Sequence, residues 1–237
     1  AVIGSTCLGG MHSCPTIILG SRSPRRRELL QLLVPEESIR VLPPTSRQES
    51  GFDGLQDWPS IENRLAEIAR NKCNDVLAQL RIQPANEFDE QSAVVLTADT
   101  IIVVAEDDGQ LLVLGQPPED DSWRDVVRNW FHCYYLGRTH TAATAICVAK
   151  SVGRRVERVV TSRVTFHAAD SHTESRIEWY LSTGESQGKA GGYALQGAGG
   201  VFVSAVEGSV NNVVGLPLGE LMNAFSELGI DVAAINN

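Results

Sequence analysis

No run of this 237-residue sequence stays apolar for the roughly 18 residues a membrane span needs, so no transmembrane helix is expected. Basic charge is also short: 20 Lys and Arg against 29 Asp and Glu leave a net charge of -9. A chain this acidic lacks the broad positive surface that holds duplex nucleic acid, although a local basic pocket for a small polyanion remains compatible. Cysteine is sparse. Cys7, Cys14, Cys73, Cys133 and Cys147 are odd in number and free of C-x-x-C spacing, which argues against a disulfide framework or a zinc site and for a reducing, cytoplasmic setting. A basic n-region is missing from the first residues, so no signal peptide is expected. Residues 1–14 read as an N-terminal tail or extension, with Met11 a candidate start, ahead of a single domain over 15–237. The phosphate-loop signature Gly-Lys-Ser/Thr, the G-x-G-x-x-G fingerprint and any internal repeat are absent as well.

What is present is an ordinary globular composition, 43% hydrophobic and 21% charged, long enough to bury a sizeable core. A short apolar run, Thr16 to Leu19, stops at Gly20, and a helix with Leu29, Leu30 and Leu33 on one face opens behind Ser23 and Pro24. A strand is expected near Ile39–Leu42, then an exposed loop, then a helix over Ile61–Ile82. Ala93 to Ala105 is the most apolar stretch and reads as a central strand by its β-branched content. Asp107-Asp108-Gly109 turns it back into Leu111–Leu114. Trp123 to Tyr134 is periodic as one aromatic-rich helix. Thr139–Ala149 and Val156–His167 form a second hairpin, and His140 and His167 are structural or surface groups. Ser171 and Glu174 have capping-box spacing ahead of a helix that Gly184 ends. A glycine-rich loop, a strand over Val201–Val206 and a last helix through Leu228 follow. This alternation defines an α/β fold with a mixed sheet flanked by helices.

Four features carry chemistry. In Gly20-Ser21-Arg22-Ser23-Pro24-Arg25-Arg26-Arg27, three consecutive arginines meet the start of a helix, which suits phosphate but equally describes a solvated surface. Asp99 sits inside the apolar strand, where a carboxylate needs a partner, a metal or a function. Lys72 falls on the apolar stripe of its helix, either snorkelling or aimed into a phosphate cleft. The loop Glu185–Gly200 adds Lys189, Tyr193 and Gln196 to so many glycines that close backbone approach to a ligand is expected.

Taken together, Ser21-Arg22-Ser23-Pro24-Arg25-Arg26, Leu65-Ala66 with Lys72, Ala98-Asp99-Thr100, Gly137-Arg138-Thr139-His140, Lys189-Ala190-Gly191, Gln196-Gly197 and Asn212-Val213-Val214-Gly215-Leu216-Pro217-Leu218 resemble the Maf family of nucleoside triphosphate pyrophosphatases, from about Pro15 to Gly229. The resemblance implies an elongated mixed sheet with two lobes around a nucleotide cleft, as in Maf and ITPase-like proteins. It implies hydrolysis of a nucleoside triphosphate between the α and β phosphates, with a divalent metal cation, Mg²⁺ or Mn²⁺. Asp99 would activate water or help hold the metal, and Glu49 would be a second metal ligand. Ser21, Arg25, Arg26 and Lys72 would bind the phosphates, and Lys189 would bind the substrate. Arg25, Thr100 and Gln196 match the positions that mark the branch acting on dTTP and UTP, with modified pyrimidine triphosphates as further candidates; Gln196 suits a pyrimidine edge. A homodimer is left open. Two positions depart from the family pattern: Gln116 stands where a Lys is usual, and Gly188 where an Asp is usual. The alternatives are a non-catalytic nucleotide- or RNA-binding regulator and a 7-methyl-GTP pyrophosphatase.

Overall fold

Three twelve-residue strands, β3 (Val94–Ala105), β5 (Thr139–Lys150) and β6 (Arg155–Phe166), form the frame of the computed structural model, which describes residues 15–46, 50–82 and 93–235. The remaining strands are β1 (Ile17–Leu19), β2 (Ile39–Val41), β4 (Leu111–Leu114) and β7 (Val203–Glu207). Among the described residues they make one seven-stranded sheet of order β2-β1-β3-β5-β6-β7, with β4 also on β3. β1 is parallel to β2 and β3, and every other pairing is antiparallel, so the sheet is mixed as expected. The helices are α1 (Pro24–Leu30), α2 (Trp58–Ile82), α3 (Trp123–Trp130), α4 (Thr173–Ser182), α5 (Val210–Val214), α6 (Leu218–Glu227) and α7 (Val232–Ile235). No described helix is long and apolar enough to cross a membrane.

The two edges of β3 differ. One pairs continuously with β5 from Val94 to Val103. The other is shared, β1 taking Val94–Leu96 and β4 taking Ile102–Ala105, so residues 97–101 pair with neither. The faces follow the twofold alternation of a strand. On one face Val94, Leu96 and Ala98 join a core with α1 and α6, while Ile102 and Val104 join an aromatic core with α3 and α4. Thr100 falls between those cores, and so does its cross-strand partner Thr144. The opposite face carries one core, in which Val95, Ile101 and Val103 lie under Ile61, Leu65, Ala69, Cys73 and Val76 of α2. Each buried Leu or Ile there contributes about 1.5–3 kcal/mol, far more than helix propensity differences.

Local chemistry moved several element boundaries. α2 begins at Trp58, ahead of the expected Ile61, because Asp57 accepts from the Ser60 N–H at 2.9 Å and from its hydroxyl at 2.8 Å. The expected Ser171–Glu174 capping box does not form. Asp170 accepts from the His172 N–H at 2.8 Å, its own N–H donates to Thr173 Oγ1 at 2.7 Å, and α4 starts at Thr173. A charged acceptor one residue upstream outcompetes the serine hydroxyl. The Trp123 helix stops at Trp130 and widens into a π-turn over Phe131–Tyr135 that buries Phe131 and Tyr135 together. β7 starts at Val203, because Ala198–Phe202 winds into a 3₁₀ turn.

Candidate active site

The break in the β3 edge opens into a cleft of about 790 Å³. Ser21, Arg25, Arg26, Lys72, Asp99, Thr100, Lys189 and Gln196 all line it, as do Gln116 and Gly188. Glu49 lies outside the described residues. The cleft also lies off the carboxyl end of β1, at Gly20 and Ser21, and the carboxyl ends of strands are where ligands of open α/β sheets gather.

Its floor is built by register between α2 and β3. Thr97 Oγ1 donates to the Ala69 carbonyl at 2.7 Å, which fixes the helix over the strand. One helical turn on, and two residues along the strand, Lys72 Nζ donates to Asp99 Oδ1 at 2.6 Å. The two side chains are 16% and 14% exposed, so both charges face the cleft from a largely shielded position. Lys72 is thus neither snorkelling to solvent nor idle. Asp99 Oδ2 has no partner among the described residues.

One wall is the turn after β1. Gly20 is required there, since a Cβ would sit 2.6 Å from Thr97 Cγ2 and 2.9 Å from Val76 Cγ2. Ser21 Oγ accepts from the Ser23 N–H at 3.1 Å and from Arg26 Nη1 at 3.4 Å. Arg26 Nε donates to the Gly215 carbonyl at 2.9 Å and Nη2 to Thr100 Oγ1 at 3.0 Å, so its guanidinium ties the turn to α5 and β3. Behind Thr100, Thr144 Oγ1 lies 2.9 Å away and donates to the Asn212 carbonyl at 3.0 Å. The three arginines of the motif are not equivalent. Arg22 donates to the Pro44 carbonyl at 2.7 Å while lining the cleft, and Arg27 is ion-paired with Glu36 on the surface. The Arg25 guanidinium has no hydrogen-bonded partner among the described residues, and burial lowers its pKa, opposed by the carboxylates of Glu185 and Glu28. Because α1 has only seven residues, the positive charge of this wall comes from guanidinium groups more than from a helix dipole.

The facing wall is the glycine loop, held by contacts that demand glycine. Gly191 has φ +69°, and its carbonyl accepts from the buried Tyr135 hydroxyl at 2.7 Å while its N–H donates to Gly115 at 2.9 Å. Glu185 accepts from the N–H groups of Ala198 at 2.7 Å and Gly199 at 2.9 Å. A Cβ on Gly197 would lie 2.1 Å from Glu185 Oε2, so a side chain there would have to push the carboxylate off its N–H partners. Lys189 is partly buried here, and its pKa is lowered first by desolvation and then by the positive charge of Arg25 across the cleft. Behind the loop, Tyr193 hydrogen-bonds His140 Nε2 at 2.7 Å. Burial pushes the His140 imidazole down to about 3, which keeps it neutral and structural, as its sequence context suggested.

Thr144 was not singled out by sequence, while Glu185, Asn212 and Gly215 stood there only as members of motifs, with no role attached. Thr144 gave one signal, polarity inside the apolar run Ala142–Val148.

A cationic cleft at an interrupted sheet edge, with one ion-paired carboxylate on its floor, defines an α/β protein built to bind a polyanion. Comparison with known proteins narrows the class. The family description "Maf-like protein" matches residues 16–228, and the chain belongs to the Maf family. A dTTP/UTP pyrophosphatase of Anaeromyxobacter dehalogenans is 36% identical over 87% of this chain and 90% of its own length. The dTTP/UTP pyrophosphatase of Syntrophus aciditrophicus is 36% identical over 90% of each chain, and that of Myxococcus xanthus 33% identical over 90% and 93%. Among solved structures, a nucleoside-triphosphatase (dITP/XTP pyrophosphatase) from Mycobacterium abscessus aligns over 64% of this chain and 74% of its own, with 13% identity and a TM-score of 0.34, a likeness too slight to argue from.

Proposed function

We propose that the protein hydrolyses dTTP and UTP, and modified pyrimidine triphosphates with them, to the nucleoside monophosphate and pyrophosphate. The observation that carries the reading is the convergence of Arg25, Arg26, Lys72 and Lys189 on one cleft that also holds the Asp99 carboxylate. Breaking a phosphoanhydride asks little covalent chemistry of a protein; it asks for charge neutralisation, positioning and an activated water. In this reading Arg25 and Lys189 take the triphosphate from opposite walls, and Ser21 and Arg26 hold it at the turn. Asp99 accepts the proton of the attacking water, and Lys72 fixes the carboxylate that does so. The new oxygen–phosphorus bond forms as the α–β bridge breaks, and pyrophosphate leaves with the electron pair of that bridge. Gln196, with one donor and one acceptor on its amide, is assigned to the pyrimidine edge, beside Thr100.

A divalent cation fits this donor set, because Mg²⁺ is commonly held by one or two carboxylates together with substrate phosphates, and Asp99 offers an unpartnered oxygen. When bound, such an ion would neutralise phosphate charge and acidify a coordinated water. Glu49 is retained as the proposed second ligand. A cytosolic location goes with this reading, since Cys73, Cys133 and Cys147 are free thiols.

The test is pyrophosphate release from dTTP, UTP, dCTP and 7-methyl-GTP with Mg²⁺ or Mn²⁺, for wild type and Asp99→Asn. The expected result is cleavage of dTTP and UTP by the wild type alone; γ-phosphate release or an active Asp99→Asn protein would overturn it. Gln116, exposed on the cleft where a family lysine is usual, motivates the second reading of a nucleotide-binding regulator, which predicts affinity without turnover.

A further inference from the structure

We infer that Thr144, a fully buried residue of β5, is a positioning residue that sets the direction of a hydroxyl chain and thereby holds Arg26 in the phosphate-binding orientation. The inference rests on the pyrophosphatase reading above and assigns a part to a residue outside the cleft.

Hydrogen-bond donors along this chain can be assigned because it ends on a group that cannot donate. The Asn212 backbone carbonyl accepts from Thr144 Oγ1 at 3.0 Å, which commits the only proton on that hydroxyl. Thr100 Oγ1 lies 2.9 Å from Thr144 Oγ1 and must therefore be the donor of that pair. Its own proton being committed, Thr100 Oγ1 meets Arg26 Nη2, 3.0 Å away, with a lone pair. A hydroxyl free to rotate would present its proton to the guanidinium part of the time; this one cannot.

The far end of the chain is fixed in the same way. The Asn212 amide nitrogen donates to the Ala142 carbonyl at 3.1 Å and to Ser162 Oγ at 3.0 Å. Ser162 in turn donates its proton to the Ser209 carbonyl at 2.8 Å. Each direction is thus set by a backbone acceptor. From Thr144 inward the chain runs through the seam between the two cores on one face of the sheet, shielded from water, where hydrogen bonds are stronger. Its Thr100 end is half-buried at the cleft. Asn212 and Thr144 are both 0% exposed, so neither touches substrate.

Thr144 acts on the reaction only through Thr100 and Arg26, and this makes a double-mutant cycle decisive. In the wild-type background Thr144→Val, nearly isosteric and without a hydroxyl, is expected to lower kcat/KM for dTTP about five- to twentyfold, mostly through KM, with Thr144→Ser restoring it. In a Thr100→Val background the same Thr144→Val change is expected to alter kcat/KM less than about twofold. Thr144→Ala compared with Thr144→Ser gives the same contrast should the valine protein not fold. Affinity for inorganic tripolyphosphate, measured by calorimetry on the same variants, reads the orientation of Arg26 without turnover. A wild type that binds tripolyphosphate but does not cleave dTTP tells against the pyrophosphatase reading and leaves the cycle to be scored on affinity. Equal losses from Thr144→Val in both backgrounds, no loss in the wild type, or failure of the serine to rescue would overturn the assignment.

Discussion

Lys72 Nζ and Asp99 Oδ1, 27 residues apart in sequence, are brought within 2.6 Å by a helix and a strand and form one unit of the cleft floor. Removing either partner leaves the other charge in a largely shielded place. Lys72→Met and Asp99→Asn are each expected to lower turnover of dTTP by about 100-fold or more, and each to cost about 1–3 kcal/mol of stability. The double variant should be no less active than the worse single one and should regain part of the lost thermal midpoint. Steady-state pyrophosphate release and calorimetric melting check both halves.

Arg25 and Lys189 line the same cleft near enough for one charge to act on the other, and each lies where burial disfavours its charge. A polyphosphate between them relieves both costs. Arg25→Gln or Lys189→Gln is expected to raise KM for dTTP about tenfold with a smaller change in kcat, and to weaken the dependence of KM on salt. Because the Lys189 pKa is lowered from 10.5, its charge, and with it pyrophosphate affinity, declines on the alkaline side before an ordinary lysine would titrate. Calorimetric titrations over that range should lose this decline in Lys189→Gln.

Gly197 has no room for a side chain beside Glu185. Gly197→Ala is expected to push the carboxylate off the N–H groups of Ala198 and Gly199, lowering stability by about 1–3 kcal/mol and displacing Gln196. A urea melt gives the first number. The ratio of dTTP to dCTP turnover, expected to fall, gives the second.

His140 makes stability acid-sensitive. Its folded value of about 3 lies below the ordinary 6.5, so between those limits the unfolded chain takes up a proton that the folded protein refuses. Stability is therefore unaffected above pH 6.5 and declines as pH drops through that window, by at most about 1.4 kcal/mol per pH unit for this one group. Equilibrium unfolding between pH 6.5 and 5, where few carboxylates titrate, should show the slope in the wild type and a shallower one in His140→Gln.

Much of this was legible in the residues because it is local. Ala93–Ala105 announced a strand by its β-branched run, and α2 by its apolar spacing. Asp99 stood out as a carboxylate where none is cheap, and the turn at Gly20 by its arginines. Sequence did not distinguish those arginines, because their roles depend on partners as distant as Gly215 for Arg26, Pro44 for Arg22 and Glu36 for Arg27. It likewise missed the role of Glu185, whose partners are the backbone N–H groups of Ala198 and Gly199, groups every residue but proline carries and no pattern marks. The capping box failed for a related reason: spacing identified Ser171 and Glu174, but only geometry shows that Asp170 has the nearer claim.

The ladders joining β3 to β5 and β5 to β6 run without a gap beneath the cleft, from Val94 to Val103 and from Thr139 to Ala149. Such a plate resists bending, since folding it across the cleft would break many cross-strand bonds at once. Accommodation of different nucleotides must then fall to the turn at Gly20 and the loop around Lys189, short segments laid over a stiff support. Changes of substrate preference should be reachable by replacing residues in those segments while the plate stays as it is.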